Sequence, residues 1–435
     1  MREMKDSGIE WIGQIPKDWK IARLCYLIDG YKAGPFGSAL IMDKLSDEGN
    51  ILIYTPETIV TGNTELPTNK YLPECRKDEM QQFFVKSGDI IFPIVGSLGR
   101  AMVVNENMPI GIINQRLAKF RLSSNEIVYP FFMRLFGESD FFQTYIELMC
   151  RGSIIVNLTK MILHDMPVPI PPIKEQQQIS DYLDTQCSEI DATAEDIQKE
   201  ISLLEEYKKS VITEAVTKGL NPDVEMKDSG IEWIGEIPKD WEVHPVYVYF
   251  EEGKTKNYRM QEQNLLSLSY GRIIRKDINT NGGLLPASFN TYNVVEAGDI
   301  IIRPTDLQND KRSLRTGLVK EQGIITSAYI DLRAKDNVNS KYYHYLLHSY
   351  DIIKVFYNMG NGVRQGLNFS EFAKLLLLEP TTVEQQQIAD FLDTKCSEID
   401  SLIADKKRQL DILADYKKSL IYEYVTGKKE VPVNE

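Results

Sequence analysis

Two copies of one sequence decide how this chain is built: EQQQISDYLDTQCSEID at residues 175–191 and EQQQIADFLDTKCSEID at residues 384–400. No Gly or Pro interrupts either copy or the residues that follow it until Gly219 and Gly427, and prolines precede both copies. Proline before a helix and glycine after it are common helix boundaries. Each copy therefore predicts one long helix of about 43 residues, which would be roughly 65 Å long.

Apolar residues recur every seven positions in both helices, which is the period of a coiled coil. Because an apolar stripe is not stable in water, we expect the two helices to pair antiparallel within the chain; association of separate chains is the alternative. A second apolar row runs four residues further on and is interrupted by Lys208 and Lys406. The predicted core positions of the helix pair are Leu183, Ile190, Ile197, Leu204, Val211, Leu392, Ile399, Leu413 and Leu420.

A second repeat precedes each globular segment. MKDSGIEWIGQIPKDW at residues 4–19 returns as MKDSGIEWIGEIPKDW at residues 226–241, with Gln14 replaced by Glu236. The order of strip, globular segment and long helix thus occurs twice, which predicts two modules related by a pseudo-twofold axis. We expect each strip to dock its module where the helices end or pair.

These repeats predict the following parts of the chain: residues 1–168, the first globular domain with its docking strip; 169–220, a proline linker and the first long helix; 221–378, the second strip and globular domain; 379–428, the second long helix; and 429–435, a C-terminal tail.

Charge and cysteine usage limit the class of protein. Nine of the thirteen surplus negative charges lie in residues 174–220 and 380–435, so the globular segments are nearly neutral and could carry a basic face. The five cysteines have no CxxC spacing, and no apolar run is long enough for a signal peptide or a membrane span. We therefore expect a cytoplasmic protein with no membrane role.

The globular segments, residues 20–168 and 242–378, contain short apolar runs such as GDIIFPIVG and GDIIIRPTD, separated by Gly, Asn, Asp and Pro. Aromatic-rich helical stretches follow these runs. The predicted fold class is α/β (α+β): two globular domains joined by two long antiparallel coiled-coil helices.

A search for catalytic chemistry finds no motif with the required spacing. No GxxxxGK[ST] loop occurs, and GNGVRQG at residues 360–366 lacks the context of a dinucleotide fingerprint. His344 and His348 lack the glutamate of HExxH and are expected to pack, while Asp89 and Asp299 are expected in strand-entry turns. We therefore predict no catalytic residue, no metal site and no cofactor bound by this chain.

Basic and polar side chains in loop-like stretches are the candidates for contacts with DNA, because Arg and Lys suit phosphates and guanine edges, while Gln and Asn suit adenine. A solvated charged loop is the alternative for each one. The candidates in the first globular segment are Lys32, Ser38, Arg76, Lys77, Ser97, Arg100, Gln115, Arg116, Arg151 and Ser153. Those in the second are Lys254, Lys256, Tyr258, Arg259, Arg272, Arg275, Lys276, Arg303, Gln308, Lys311, Arg312 and Arg315.

Over essentially its whole length the chain resembles the DNA-specificity subunit of type I restriction-modification systems. The motifs that carry the resemblance are IPKDW at the start of each module, GPFGSAL, GDIIFPIVGSLGR with GIINQRLAKFRL, RGSIIVNL, and PIPPIKEQQQI before the first long helix. The second copy, LEPTTVEQQQI, departs from the last of these.

The resemblance implies two target-recognition domains, each reading one half of a split site in double-stranded DNA. It also implies a helix pair that sets their spacing and docks two modification (methyltransferase) subunits, with restriction (translocase and endonuclease) subunits in the complex. S-adenosylmethionine, ATP and Mg are then expected on those partner subunits. The alternatives are a stand-alone DNA-modifying enzyme with duplicated recognition arms and a coiled-coil scaffold that does not bind DNA.

Overall fold

The computed structural model describes residues 2–35, 40, 45–96, 98–149, 158–278, 288–305, 314–359 and 366–432. The chain forms two compact units: unit 1 comprises residues 1–197 and 408–435, and unit 2 comprises residues 198–407. The repeats predict each long helix as a separate part, whereas here each helix contributes residues to both units.

Unit 1 begins with strip 1, residues 4–19, and its globular part ends at the first long helix. Its strands are β1 (Met4–Asp6), β2 (Gln14–Pro16), β3 (Lys20–Arg23), β4 (Ile28–Ala33), β5 (Leu52–Tyr54), β6 (Asp89–Pro93), β7 (Met102–Val103), β8 (Gly111–Ile113), β9 (Leu117–Leu122) and β10 (Pro167–Ile170). Its helices are α1 (Pro56–Thr61), α2 (Tyr129–Met133), α3 (Asp140–Met149), α4 (Lys160–His164) and the start of α5 (Ile173–Lys218).

Unit 2 follows the same order. Its strands are β11 (Met226–Asp228), β12 (Glu236–Pro238), β13 (Glu242–Pro245), β14 (Phe250–Glu252), β15 (Leu266–Ser269), β16 (Arg272–Arg275), β17 (Asn293–Val295), β18 (Ile300–Ile302), β19 (Thr316–Leu318), β20 (Gly323–Ile325), β21 (Ile330–Ala334) and β22 (Leu376–Glu379). Its helices are α6 (Val246–Tyr249), α7 (Ser340–Ile352), α8 (Phe369–Phe372) and the start of α9 (Thr382–Val425).

Each unit is built on a four-stranded sheet with equivalent strand order, β4-β9-β6-β7 in unit 1 and β14-β21-β18-β19 in unit 2. All pairings in these sheets are antiparallel, and among the strands that the structure describes only β5 and β8 pair in parallel. The sheets pack against aromatic-rich helices, with Phe92, Phe120 and Phe136 buried in unit 1. Mixed strands and helices of this kind fit the α+β part of the predicted fold class.

The GDII sequences form the same turn in both sheets. In unit 1 the Asp89 carboxylate accepts a hydrogen bond from Lys86 N at 3.0 Å, and in unit 2 the Asp299 carboxylate accepts one from Glu296 N at 2.8 Å. Each aspartate also pairs with an arginine on the neighbouring strand: Arg121 at 2.8 Å and Arg333 at 3.4 Å. Both aspartates thus stand at a strand entry.

The two long helices contact each other with opposite chain directions inside each unit. In unit 1, Asp191 pairs with Lys417 at 2.6 Å, while Tyr182, nearer the start of α5, hydrogen-bonds Tyr424, nearer the end of α9. The nine predicted core positions of the helix pair are all buried or half-buried. Cys187 and Cys396 are free thiols within this core. No helix among the described residues has the length and apolar character needed to cross a membrane.

Each strip packs where one long helix begins and the other ends. In unit 1 the buried Trp19 donates its indole N–H to Glu175 at 3.1 Å, and Lys428 Nζ donates to the carbonyls of Ile12 and Gln14 at 2.7 Å. In unit 2, Trp241 is equally buried, and its indole N–H points at Glu384 at 3.5 Å. The repeated strip therefore serves two equivalent joints.

Candidate nucleic-acid interface

Several motifs of the first globular segment meet at one end of its sheet. Strand β4 ends at Ala33, β6 ends at Pro93 and β9 begins at Leu117, and these three residues adjoin because the strands are antiparallel. The loops continue this contact: Gly34 N donates to Leu117 O at 2.8 Å, and Ile94 N donates to Arg116 O at 2.9 Å.

Leu158, which follows the RGSIIVN sequence, donates its N–H to Ile94 O at 3.0 Å. We call this surface loop edge 1: residues 33–34, 94–100, 114–117 and 158, of which residue 97 lies outside the described part of the chain.

Close backbone approach explains the glycine at the start of GPFGSAL. A Cβ on Gly34 would lie 1.8 Å from Asn114 O, so no larger residue fits there without moving the chain. Gly96 has a φ of +89°, and a Cβ there would lie 3.0 Å from an Arg116 guanidinium nitrogen. Loop edge 1 therefore places the exposed Arg100, Gln115 and Arg116 side chains on tightly fixed backbone.

Unit 2 has the equivalent arrangement, which we call loop edge 2: residues 253–254, 303–305, 314–315 and 367. Gly253 N donates to Asp331 O at 2.9 Å, Arg303 N donates to Arg315 O at 2.9 Å, and Leu367 N donates to Pro304 O at 3.0 Å. The bond from Leu367 corresponds to that from Leu158 in loop edge 1. In contrast, Arg303 bonds to the residue before β19, whereas Ile94 bonds to the residue before β9.

Arg315 is buried, whereas the sequence predicts an exposed side chain that contacts DNA. It was predicted to contact DNA, but its side chain is fully buried, and its guanidinium donates to the carbonyls of Thr305 and Arg303. Its backbone N–H is held by the carboxylate of Asp351, whose pKa is raised to about 6 by burial. The residue therefore fixes the shape of loop edge 2 and does not present its charge to solvent.

A buried cluster of charged residues, Asp299, Asp331 and Arg333, lies next to loop edge 2. The Asp331 carboxylate is almost fully buried, and neither of its oxygens has a hydrogen-bond partner. Burial and the neighbouring Asp299 raise the pKa of Asp331 to about 7, whereas Arg333, 3.9 Å away, opposes that shift. Burial also raises the pKa of Asp299. Neither Asp331 nor Arg333 stands in a recognisable motif, so the sequence alone does not identify them.

Strands β15 and β16 form a hairpin that carries exposed basic side chains. Tyr270 and Gly271 connect the strands, and both have positive φ, 46° and 76°, as a two-residue turn of type I′ requires. Tyr270 is strongly exposed at the tip. Arg272 pairs with Asp400 at 3.3 Å, and Arg275 pairs with Glu321. The alternation around SYG could have predicted this hairpin, although Tyr270 was not among the predicted candidates.

The remaining described candidates lie outside the two loop edges or at their margins. Lys32 donates to Gln82 at 2.6 Å, and Lys256 donates to Asn293 at 2.7 Å. In unit 1, Arg76 and Lys77 each pair with a glutamate three residues away. In unit 2, Lys254 pairs with Glu252. The last three candidates, all exposed in unit 2, are Tyr258, Arg259 and Lys276.

Seven predicted candidates lie outside the described residues: Ser38, Ser97, Arg151, Ser153, Gln308, Lys311 and Arg312.

Two other clusters bear on the prediction of no metal site. Among the described residues, Glu242, His244 and Glu379 bring one ligand atom each within 4.8 Å of the others. They are half-buried or exposed on β13 and β22, where His244 bonds to Glu242 at 2.9 Å. His344 and His348 are half-buried on α7, and burial lowers their pKa values to about 3 and about 4. Both imidazoles are therefore neutral packing groups at pH 7.

Comparison with known proteins agrees with this architecture. Residues 16–203 match the family described as the type I restriction modification DNA specificity domain. The chain is 26% identical over 437 residues to a protein of Methanocaldococcus jannaschii that carries the name type I restriction enzyme MjaX specificity subunit, and the match covers 97% of this chain and 96% of that protein.

A second relative from the same organism, the type I restriction enzyme MjaVIII specificity subunit, is 24% identical over 439 residues, covering 96% of this chain and 94% of the relative. A solved chain, described under the assembly and conformational transition of the type I R-M system, aligns with a TM-score of 0.59 and 15% identity over 95% of this chain and 99% of that chain. That likeness shows a shared fold.

The first module therefore contains a DNA specificity domain of the type I restriction-modification class. Over nearly its whole length the chain is similar to type I restriction enzyme specificity subunits, and the resemblance seen in its motifs is confirmed.

Proposed function

We propose that this chain gives a type I restriction-modification complex its DNA sequence specificity by reading a bipartite site. The globular part of unit 1 would read one half-site and that of unit 2 the other. The two long helices would set the number of unread base pairs between them and would dock two modification subunits. Restriction subunits would complete the complex, and S-adenosylmethionine, ATP and Mg would bind to the partner subunits.

One observation carries this proposal: both units hold a loop edge at the same end of a four-stranded sheet with equivalent strand order, but they present different side chains there. Unit 1 offers Arg100, Gln115 and Arg116, whereas unit 2 offers Lys254 and Arg303. A scaffold that is repeated while its exposed loops differ is suited to reading two different sequences, since direct readout depends on the pattern of donors and acceptors presented to base edges.

Charge distribution supports the same assignment. The long helices hold most of the net negative charge, so phosphates would be repelled from them and would approach the nearly neutral globular parts. The exposed Arg272 and Arg275 on the hairpin pair with Asp400 and Glu321 in the free chain. Binding to DNA would exchange these carboxylates for phosphates at little net cost, because exposed ion pairs contribute little to stability.

The test is to map methylated adenines in the DNA of cells that express the full chain with its modification subunit. We expect one new split motif with two defined halves and a fixed gap. Cells that express the modification subunit alone provide the control and should lack the motif. A single continuous motif would contradict the bipartite reading, and no new methylation would contradict the assignment to a modification complex.

A further inference from the structure

The hairpin of β15 and β16 stands where the two units differ in their framework. Strands β8 and β20 both begin with Gly-Ile-Ile, and each glycine touches a neighbouring backbone. A Cβ on Gly111 would lie 2.3 Å from Leu52 O at the start of β5, and one on Gly323 would lie 2.6 Å from Asn264 O just before β15. Strands β5 and β15 are therefore equivalent. In unit 1 helix α1 follows, whereas in unit 2 the chain turns back into β16.

Packing fixes the tip of this hairpin beside loop edge 2. A Cβ on Gly271 would lie 3.0 Å from the Cβ of Leu314, a residue of loop edge 2, and 3.6 Å from His348 Cε1 of α7. A Cβ on Gly317, in β19, would lie 2.6 Å from Leu268 Cδ1 of β15. The hairpin therefore rests on β19, an outer strand of the four-stranded sheet, and its tip has a fixed position.

Tyr270 is an unusual residue for this turn. Its side chain is 80% exposed, more than any other large apolar side chain that the structure describes, and its φ of 46° is left-handed. The first turn position of a type I′ hairpin usually holds Asn, Asp or Gly, because bulky side chains rarely adopt positive φ. Neither the turn nor packing thus requires a tyrosine here. Backbone outliers of this kind are typical of functional positions.

The strand that follows Tyr270 is basic. Residues 265–276 include Arg272, Arg275 and Lys276, all exposed, and no acidic residue. Their carboxylate partners come from other elements: Asp400 pairs with Arg272, and Glu321 pairs with Arg275. Cations beside an exposed aromatic ring are complementary to duplex DNA, because phosphates attract the cations while the ring can stack on bases.

We propose that Tyr270 inserts between two base pairs of the half-site read by unit 2, while Arg272 and Arg275 hold neighbouring phosphates. This inference rests on the proposed function and adds a means of recognition that does not depend on hydrogen bonds to base edges. Insertion requires two base pairs to unstack, and the pyrimidine–purine steps TA and CA/TG unstack most readily. The second half-site should therefore contain such a step at the hairpin tip.

The test uses permanganate, which oxidises unstacked thymines, since every TA or CA/TG step contains a thymine. The full-length chain with its modification subunits is bound to a duplex that carries its split motif. We expect one reactive step in the second half-site. Tyr270→Asn should abolish that reactivity and weaken binding roughly tenfold, because stacking of an aromatic ring on a base is lost. Tyr270→Phe should retain both, since it keeps the ring.

Salt dependence separates stacking from charge. Tyr270→Asn removes no cation and should leave the slope of log affinity against log salt unchanged, whereas Arg275→Ala should reduce its magnitude by about 1. Asparagine suits the left-handed turn, so the melting temperature should not fall. Tyr247→Ala provides the matched control. That tyrosine is 55% exposed on α6, at the opposite end of β14 from loop edge 2, and its loss should change neither reactivity nor affinity.

Thymines exposed by base flipping in the modification subunits should react in both half-sites and with every variant. A parent complex that binds the motif but shows no further reactive step in the second half-site would overturn the insertion while the proposed function stands. Unchanged reactivity or affinity in Tyr270→Asn would do the same, as would an effect in the first half-site. Loss of modification subunits from that variant would assign Tyr270 to a protein contact instead. A parent complex that binds no split motif would overturn both proposals.

Discussion

Lys208 Nζ lies 2.7 Å from Asp400 Oδ1 in unit 2, and Lys417 Nζ, at the aligned position of the repeat, lies 2.6 Å from Asp191 Oδ1 in unit 1. In the heptad pattern Lys208 interrupts an apolar row. In the structure Lys208 forms an ion pair with Asp400, and the equivalent pair occurs in unit 1. A polar residue in a helix seam commonly fixes register at some expense of stability, and the repetition suggests that role here.

Replacing Lys208 with leucine should therefore stabilise the chain by about 1 kcal/mol, because a half-buried ion pair is often no better than an apolar contact of similar volume. Asp400 would keep its contact with Arg272. Urea unfolding measures the change, and Lys209→Leu, at the next and exposed position, should shift the free energy of unfolding by less than about 0.5 kcal/mol. A clear loss of stability in Lys208→Leu would mean that the ion pair contributes more than an apolar contact.

The glycines that end the long helices should differ in how much stability is lost when each is replaced by alanine. Both have φ in the left-handed region, 78° at Gly219 and 70° at Gly427. A Cβ on Gly427 would lie 2.4 Å from Pro16, whereas the nearest atom to one on Gly219 is in Trp241 at 3.3 Å. Gly219→Ala should cost about 1 kcal/mol from backbone strain alone. Gly427→Ala should cost clearly more, since the joint with strip 1 must also open. Equal losses in thermal or urea unfolding would contradict the close packing at Pro16.

Asp331 should make the stability of the chain depend on pH. The pKa of its carboxyl is raised to about 7 in the folded chain, above its value of about 4 when unfolded, so the folded state holds a proton that the unfolded state has lost. Stability from this group is fully present below pH 4 and is lost as the pH rises through 7. Asp331→Asn replaces the carboxyl group with a neutral group of the same shape, so the variant should not lose this stability as the pH rises.

The expected gain from Asp331→Asn is up to about 4 kcal/mol above pH 7, and it should shrink steadily toward pH 4. Melting curves of parent and variant from pH 5 to pH 8 measure it. The exposed Asp336→Asn provides the control and should run parallel to the parent. A variant that is less stable than the parent at pH 8 would show that the carboxylate of Asp331 is bound by Arg333 more strongly than burial opposes it.

The two loop edges should be separable by single substitutions. Arg116→Ala should weaken or relax recognition at one half-site only, and Arg303→Ala should do so at the other half-site only. Removing an arginine that bonds to a base edge should reduce discrimination at that base pair by about 1–3 kcal/mol. Selection of bound sequences from a random pool by the full complex measures this. Arg76→Ala is the control, because that guanidinium pairs with Glu79 within its own turn. Changes in both halves from one substitution would contradict one unit per half-site.

Sequence periodicity predicted the parts of this fold that depend on local repetition. The heptads of residues 175–215 and their copy predicted both long helices. The turn signals predicted that each GDII sequence lies where a strand begins. The meeting of residues 33, 93 and 117 could not be predicted, because it depends on pairing between strands that are far apart in the chain. The same limit explains Arg315. Its loop sequence favours an exposed cation, whereas the carbonyls of Thr305 and Arg303 and the buried Asp351 carboxylate hold the residue inward.

The proposed spacing role of the helices leads to the last prediction. One heptad inserted after Ile197 in α5 and another after Lys407 in α9 should lengthen the pair by about 10 Å, equivalent to about three base pairs. These positions lie at the boundary between the units, so the pairs of Asp191 with Lys417 and of Lys208 with Asp400 would both be kept. Methylated-adenine mapping should then show unchanged half-sites with a longer gap. Seven polar residues inserted instead between Lys218 and Met226 lengthen the chain but neither helix, and should leave the gap unchanged. An unchanged gap in the helix variant would contradict the spacing role, while a longer gap in both variants would assign it to the connector.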